Sequence, residues 1–178
     1  MALKSVRLFS LFILLGITLY SKAQNLRIDG YKGIWYTIGQ KSEYGDKYSG
    51  GFATYTANHT PVAIYASKVD KTFFVYGGTT SEKDRHLLIM ISCYDHKSGT
   101  LARPVVVCDK MGVDDPHDNA SLAIDSDGFI WVFVSGRNVS RLGQIYKSTM
   151  PYCIDHFEKK HQSVMTYPQP WYIEGKGC

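Results

Sequence analysis

Displaced by 58 positions, the chain falls onto itself: His59 lands on His117, Ile64 on Leu122, Val75 on Phe133 and Gly78 on Gly136. Each copy runs in the same order. A polar loop with a histidine leads into an apolar run, a turn, an aromatic-rich run closed by glycine, and a further hairpin. Such a unit holds about four antiparallel strands, the size of a propeller blade. A third unit opens at "YPQPWYIEGKG" (167–177). The repeat predicts an all-β fold, a partial β-propeller of roughly two to three four-stranded blades. A propeller needs at least about four blades to close, so the expectation is the front part of a longer protein. An unclosed sheet would leave an unpaired edge open to aggregation.

The local pattern agrees. From Pro61 onward, short apolar runs alternate with turn residues. "VAIYAS" (62–67) turns into "TFFVYGG" (72–78), and "HLLIMISCYD" (86–95) turns through "HKSGT" into "LARPVVVC" (101–108). "SLAID" (121–125) turns at Ser126-Asp127-Gly128 into "FIWVFVSG" (129–136), and "GQIYKST" (143–149) leads to a polar segment around Phe157. Asp127-Gly128 between apolar runs predicts a hairpin with a type I′ turn. No helical period persists over three turns. Thirteen tyrosines, 8 phenylalanines and 3 tryptophans suit strands rather than helices.

Residues 1–23 read differently. Lys4 and Arg7 precede an apolar run over 8–19, and Ser21-Lys22-Ala23 offers a small-x-small cleavage site. That is the layout of a secretory signal peptide, and the run is too short for the ~20 residues of a membrane span. The expected mature chain, 24–178, is secreted or periplasmic. Removing Lys4, Arg7 and Lys22 from the 20 basic residues leaves 17 against 16 acidic ones. With no basic block, nucleic acid is excluded as a partner class. Cys93, Cys108, Cys153 and Cys178 permit a disulfide in an exported chain, while Cys93 and Cys108 sit in apolar runs that suit buried free thiols.

The chemistry-bearing stretch is "DDPHDNASLAIDSDGFIWVF" (114–133). Imidazole moves protons near neutral pH. His59 and His117 stand in equivalent entry loops and are predicted to face one axial mouth. Asp115 or Asp118 would orient the His117 ring, Asn119 would donate to a carboxylate, and Arg137 would supply positive charge. The alternative is that His117 is only a turn residue capped by its neighbours. Asp114, Asp115 and Asp118 lack the alternating oxygen pattern of an EF-hand loop. No CxxC or HxxxH spacing supports zinc, and no GxSxG elbow supports a serine triad. No metal or cofactor is expected. Asn58, Asn119 and Asn138 head sequons, and Trp35, Tyr36, Tyr44, Tyr48, Trp171 and Tyr172 could stack on sugar rings.

"GYKGIWYTIGQ" (30–40), "EYGDKYSGG" (43–51), "DDPHDNA" (114–120), "DGFIWVFVSGR" (127–137), "IYKST" (145–149) and "YPQPWYIEGKG" (167–177) together resemble the BNR-4 repeat family. That family includes exported ulvan lyases of polysaccharide lyase families 24 and 25, which are seven-bladed propellers. The resemblance implies β-elimination on an anionic, uronate-containing polysaccharide. A base takes the proton α to the carboxylate, a cationic or hydrogen-bonding group neutralises that carboxylate, and an acid protonates the leaving oxygen. His117 matches the family's His-Asp-Asn motif as base or neutraliser. His59 follows by the repeat, and Tyr172 is taken as the proton donor from its place in the third entry strand.

Two rivals share the architecture. A sialidase-like glycoside hydrolase wants carboxylates across the scissile bond, and its arginine triad is not evident among Arg27, Arg85, Arg103, Arg137 and Arg141. A non-catalytic glycan-binding propeller would keep the blades and aromatics and tolerate loss of His117.

Overall fold

The computed structural model describes residues 58–78, 87–113 and 115–177. The leader at 1–23, the aromatics at 35–48, Arg27, Arg85, Asp114 and Cys178 lie outside the described residues.

Two antiparallel sheets account for the fold. The first runs β1 (Ala63–Ala66), β2 (Lys71–Gly78), β3 (Leu88–Asp95), with β4 (Thr100–Leu101) and β5 (Val105–Asp109) both paired to β3 as one interrupted outer strand. The second runs β6 (Ala120–Ile124), β7 (Ile130–Val134), β8 (Gly143–Ser148), β9 (Phe157–Ser163). Each is therefore a four-stranded meander, and the repeat survives in the pairing with a slip of one residue. Ala63 pairs with Phe74 and Ser121 with Phe133, so the first strands correspond at 58 positions and the second strands at 59. The core residues Phe73 and Val75 answer to Val132 and Val134, and the expected match of Val75 with Phe133 does not hold. All-β, partial-propeller architecture is what the chain adopts.

The core lies between the sheets because side chains alternate along each strand. In β7, Ile130, Val132 and Val134 have no exposed surface and point into the shared core with Leu122, Phe73, Ile89 and Ile91. Trp131 and Phe133 take the opposite face. The sheets are also joined by backbone: Leu122 N donates to Pro61 O across 2.9 Å. A second, smaller cluster of Tyr76, Leu88 and Met90, with Phe74 against it, covers the far face of the first sheet.

The β6–β7 hairpin departs from the expected turn. Asp127 is not among the positive-φ residues, whereas Gly128 has φ +87°. Gly128 N donates to Asp125 O at 3.0 Å, and Asp125 Oδ1 accepts from Asp127 N at 3.1 Å and Phe129 N at 2.9 Å. A three-residue loop with one left-handed glycine does the work that a two-residue type I′ turn would have done. The aspartate side chain explains the choice, since it satisfies two loop amides at once.

Cys93 and Cys108 are buried free thiols, and Cys153 is free and half-buried. No helix among the described residues is long and apolar enough to cross a membrane.

Candidate functional site

The site is assembled at the N-terminal end of β6, where three segments converge. The first is the loop before β1, carrying His59. The second is the short 3-10 helix Pro116–Asp118, set up by Pro116 at its first position and by Asp115 as N-cap, whose carboxylate accepts from His117 N at 3.0 Å. The third is the chain after β9, which crosses the strand ends. Gly136 N donates to Met165 O at 2.8 Å, Tyr167 N to Ser135 Oγ at 2.9 Å, and Ser121 Oγ to Pro168 O at 2.6 Å.

His117 and Asp115 form a charge-assisted pair. His117 Nδ1 lies 2.5 Å from Asp115 Oδ1, and the His117 side chain is 11% exposed. A carboxylate only accepts, so Nδ1 carries a proton, and in the neutral tautomer the basic lone pair lies on Nε2. Burial pushes the Asp115 carboxyl upward, but hydrogen bonds from the His117 ring and backbone, with the charges of His117 and Arg141, outweigh it and hold the group below its usual range. The ring is thus oriented by its neighbour in the manner of a general base.

His59 sits behind it. It has no exposed surface, and its Nε2 donates to the His117 carbonyl oxygen at 3.1 Å. Tyr167 lies against both rings, edge-on to His59 with centroids 5.4 Å apart and tilted to His117 at 5.8 Å. Its backbone is left-handed, φ +52°, a conformation that a bulky aromatic rarely adopts and that tends to persist where the surroundings impose it.

Under the 3-10 helix lies a buried ion cluster. Asp118 is fully buried and receives Lys110 Nζ at 3.0 Å, Arg141 Nε at 3.1 Å and Arg141 Nη2 at 3.0 Å. Arg141 Nη2 also reaches Asp115 Oδ2 at 2.6 Å, so one guanidinium locks both carboxylates. Its hydrogen bonds to Asp118 lead the effects that raise the Arg141 pKa.

The residues singled out from sequence are distributed unevenly. His59, His117 and Asn119 come together. Asn119 is fully buried, its Nδ2 donating to Pro116 O at 3.2 Å, so it closes the 3-10 turn rather than facing open solvent. Arg137 is exposed on the β7–β8 hairpin and pairs through its backbone with Arg141. Tyr172 lines a different cavity of about 380 Å³, with Asp125, Asp127, Trp131, Phe133 and Ile145, on the outer face of the second sheet. Three site residues escaped sequence reasoning: Lys110, Arg141 and Tyr167. The only signal was position, since Lys110 directly follows a strand and Arg141 lies four residues after Arg137 on one hairpin. No group of three or more His, Cys, Asp or Glu among the described residues is arranged to hold a metal.

Two solved structures share this arrangement of strands. One is described as a polysaccharide lyase of family 25, an ulvan lyase, at 20% identity and TM-score 0.57. The second is that lyase bound to -[GlcA(1-4)Rha3S]-, at 19% identity and TM-score 0.56. The fold is ulvan-lyase-like. In both comparisons 70% of this chain is matched, and it spans 31% of the lyase's length. No family model matches the chain, and no curated protein does, so the BNR-4 resemblance stays on its quoted motifs.

Proposed function

We propose that this ulvan-lyase-like chain is part of an exported polysaccharide lyase that cleaves a uronate-containing anionic polysaccharide by β-elimination. One observation carries the reading. Imidazoles from two successive repeat units meet at one end of the sheets around the ring of Tyr167, on a fold shared with ulvan lyases. The signal-like leader supports export, and the polymer bound by the second neighbour suggests the substrate class.

In this reading His117 Nε2 takes the proton α to the uronate carboxylate, and Asp115 stabilises the imidazolium that forms. The electron pair of the broken C–H bond becomes the new C=C bond, and the bond to the leaving oxygen breaks. Tyr167 delivers its phenolic proton to that oxygen. It takes the role expected of Tyr172 from its place in the third entry strand, because it touches both imidazoles whereas Tyr172 lines another cavity. His59, committed to the His117 carbonyl, is a positioning residue. Arg137, exposed beside the site, is the cation available to neutralise the substrate carboxylate. The reaction balances without redox chemistry or water.

The test is to incubate the protein with ulvan and follow the ultraviolet band of a carboxylate conjugated to a new C=C bond. His117→Ala should abolish the signal and Tyr167→Phe should reduce it by about 10²–10⁴-fold, the range typical of acid–base groups, while Tyr172→Phe leaves it near the parent rate. Reducing ends released without that band would establish hydrolysis instead. Polymer bound but never cleaved would leave a glycan-binding module.

A further inference from the structure

A second concave feature lies beside the histidine site. A cleft of about 210 Å³ opens between the sheets, with Asp109 and Lys110 on one wall and Arg141, Gln144 and Gln162 on the other. Arg141 belongs to both places: one side of its guanidinium holds Asp115 and Asp118, and the other lines the cleft.

A β-bulge builds the far wall. Gln144 pairs with Gln162, Ile145 with His161, and then Tyr146 with Lys159, the register slipping between Ile145 and Tyr146. In a regular strand Lys159 and Gln162 would face opposite sides. The extra residue, Lys160, turns both to the side shared by Gln144 and Tyr146. Lys159 Nζ accordingly donates to Gln162 Oε1 at 3.4 Å.

The result is a row of donors. Gln144 Oε1 already accepts from Tyr146 Oη at 2.5 Å and Cys108 Sγ at 3.6 Å, and Gln162 Oε1 accepts from Lys159. Each amide therefore has its NH₂ group to offer the cleft. Arg141 uses Nε and Nη2 on the two aspartates and offers Nη1. Lys159 adds an exposed positive charge. The opposing carboxylate, Asp109, accepts from Met111 N at 2.7 Å. Planar guanidinium and amide donors converging on one space suit an oxyanion.

We propose that this cleft binds an oxyanion, a sulfate ester or a carboxylate, on the sugar residue adjoining the one held at His117. The proposal rests on the polysaccharide reading above and extends it to a neighbouring subsite.

The experiment titrates the full chain and its Gln162→Glu and Gln162→Lys variants with three ulvan oligosaccharides: native, desulfated and carboxyl-reduced. Gln162 is exposed on an edge strand, so both variants should fold as the parent does. The expected result is about tenfold weaker binding of the native oligosaccharide by Gln162→Glu and tighter binding by Gln162→Lys. Charge sensitivity lost on desulfation identifies a sulfate, and sensitivity lost on carboxyl reduction identifies a carboxylate; either supports the proposal. Equal affinity across parent and variants overturns it. The His117 ring resonance separates the two claims. If it moves on binding while the Gln162 variants have no effect, only the cleft is refuted. If Gln162 matters while His117 stays unmoved, the cleft stands and the lyase reading falls. Binding of none of the three oligosaccharides overturns both.

Discussion

His59 holds the backbone of His117 from a point 58 residues earlier, its Nε2 donating to the His117 carbonyl at 3.1 Å. Since a carbonyl can only accept, the hydrogen bond sets the tautomer of the buried ring as well as the position of the 3-10 turn. The two histidines occupy equivalent places in the repeat and do different physical jobs.

Replacing His59 with Ala should therefore leave a buried carbonyl without its donor and cost about 1–3 kcal/mol, the desolvation penalty of an orphaned polar group. Denaturant unfolding of the variant would read this directly. A midpoint unchanged from the parent would mean that the ring contributes nothing to holding the turn.

Asp118→Asn should be more damaging. The carboxylate is fully buried between Lys110 and Arg141, and removing its charge leaves the buried Lys110 ammonium without its carboxylate and Arg141 with Asp115 alone. Breaking a buried pair costs about 3–5 kcal/mol, several-fold more than an exposed one. Chemical denaturation is again the measurement. A loss below about 1 kcal/mol, the scale of surface pairs, would show that water reaches the cluster.

Acid should unfold the site in a defined direction. The Asp115 carboxyl is held below its usual range against the opposing pull of burial, by the His117 hydrogen bonds and the nearby charges of His117 and Arg141. A depressed folded-state value contributes stability that is present above the unfolded value, about 3.9, and is lost as pH falls through the folded value. Asp115→Asn should flatten the acid limb of a stability–pH curve below that point. An unaltered limb would assign the acid sensitivity to other carboxyls.

Glycine substitutions can separate strain from collision. Gly128 and Gly112 have nearly equal backbones, φ +87° and +86°. A Cβ at Gly112 meets nothing within 4 Å, whereas at Gly128 it would lie 2.3 Å from the Tyr152 ring. Gly112→Ala should cost only the conformational part, about 1–2 kcal/mol. Gly128→Ala should cost clearly more, because Tyr152 stacks on Phe73 at the core edge. Equal losses in thermal unfolding would mean the ring moves aside freely.

Thiol labelling should report the two sheets' integrity. Burial leads the effects that raise the Cys93 and Cys108 pKa values, which disfavours the reactive thiolate. Native protein treated with iodoacetamide should be modified at Cys153 well before either, by peptide mass spectrometry. Rapid modification of Cys93 would place that strand outside a closed core.

The strands were legible because each is bounded by turn residues whose side chains act locally. Asp95, for example, accepts from Lys97 N and Ser98 N, both at 3.0 Å. The repeat set His59 and His117 in equivalent loops, expected to face one mouth; His59 is instead fully buried, with its Nε2 on the His117 carbonyl. Arg141 was not legible, because its grip on Asp115 and Asp118 depends on how the β7–β8 hairpin folds back, with Asn138 in a left-handed conformation, φ +53°. Tyr167 and Tyr172 flank the same proline-rich segment. Only the positive φ of Tyr167, a choice that residue type argues against, turns the former toward the imidazoles. The turn at Asp127-Gly128 was misread because the dipeptide suits two loop lengths, and the carboxylate of Asp125 decides between them.

The crossing of residues 165–168 over the ends of β6 and β7 means that no unit owns the site. One histidine belongs to the first module, its counterpart to the second, and the tyrosine to the passage beyond. Evolution by gain or loss of a module would therefore recombine sites at the seams rather than copy them whole. Each new seam would start as a similar recess whose chemistry is set by whichever side chains its three contributors happen to bring.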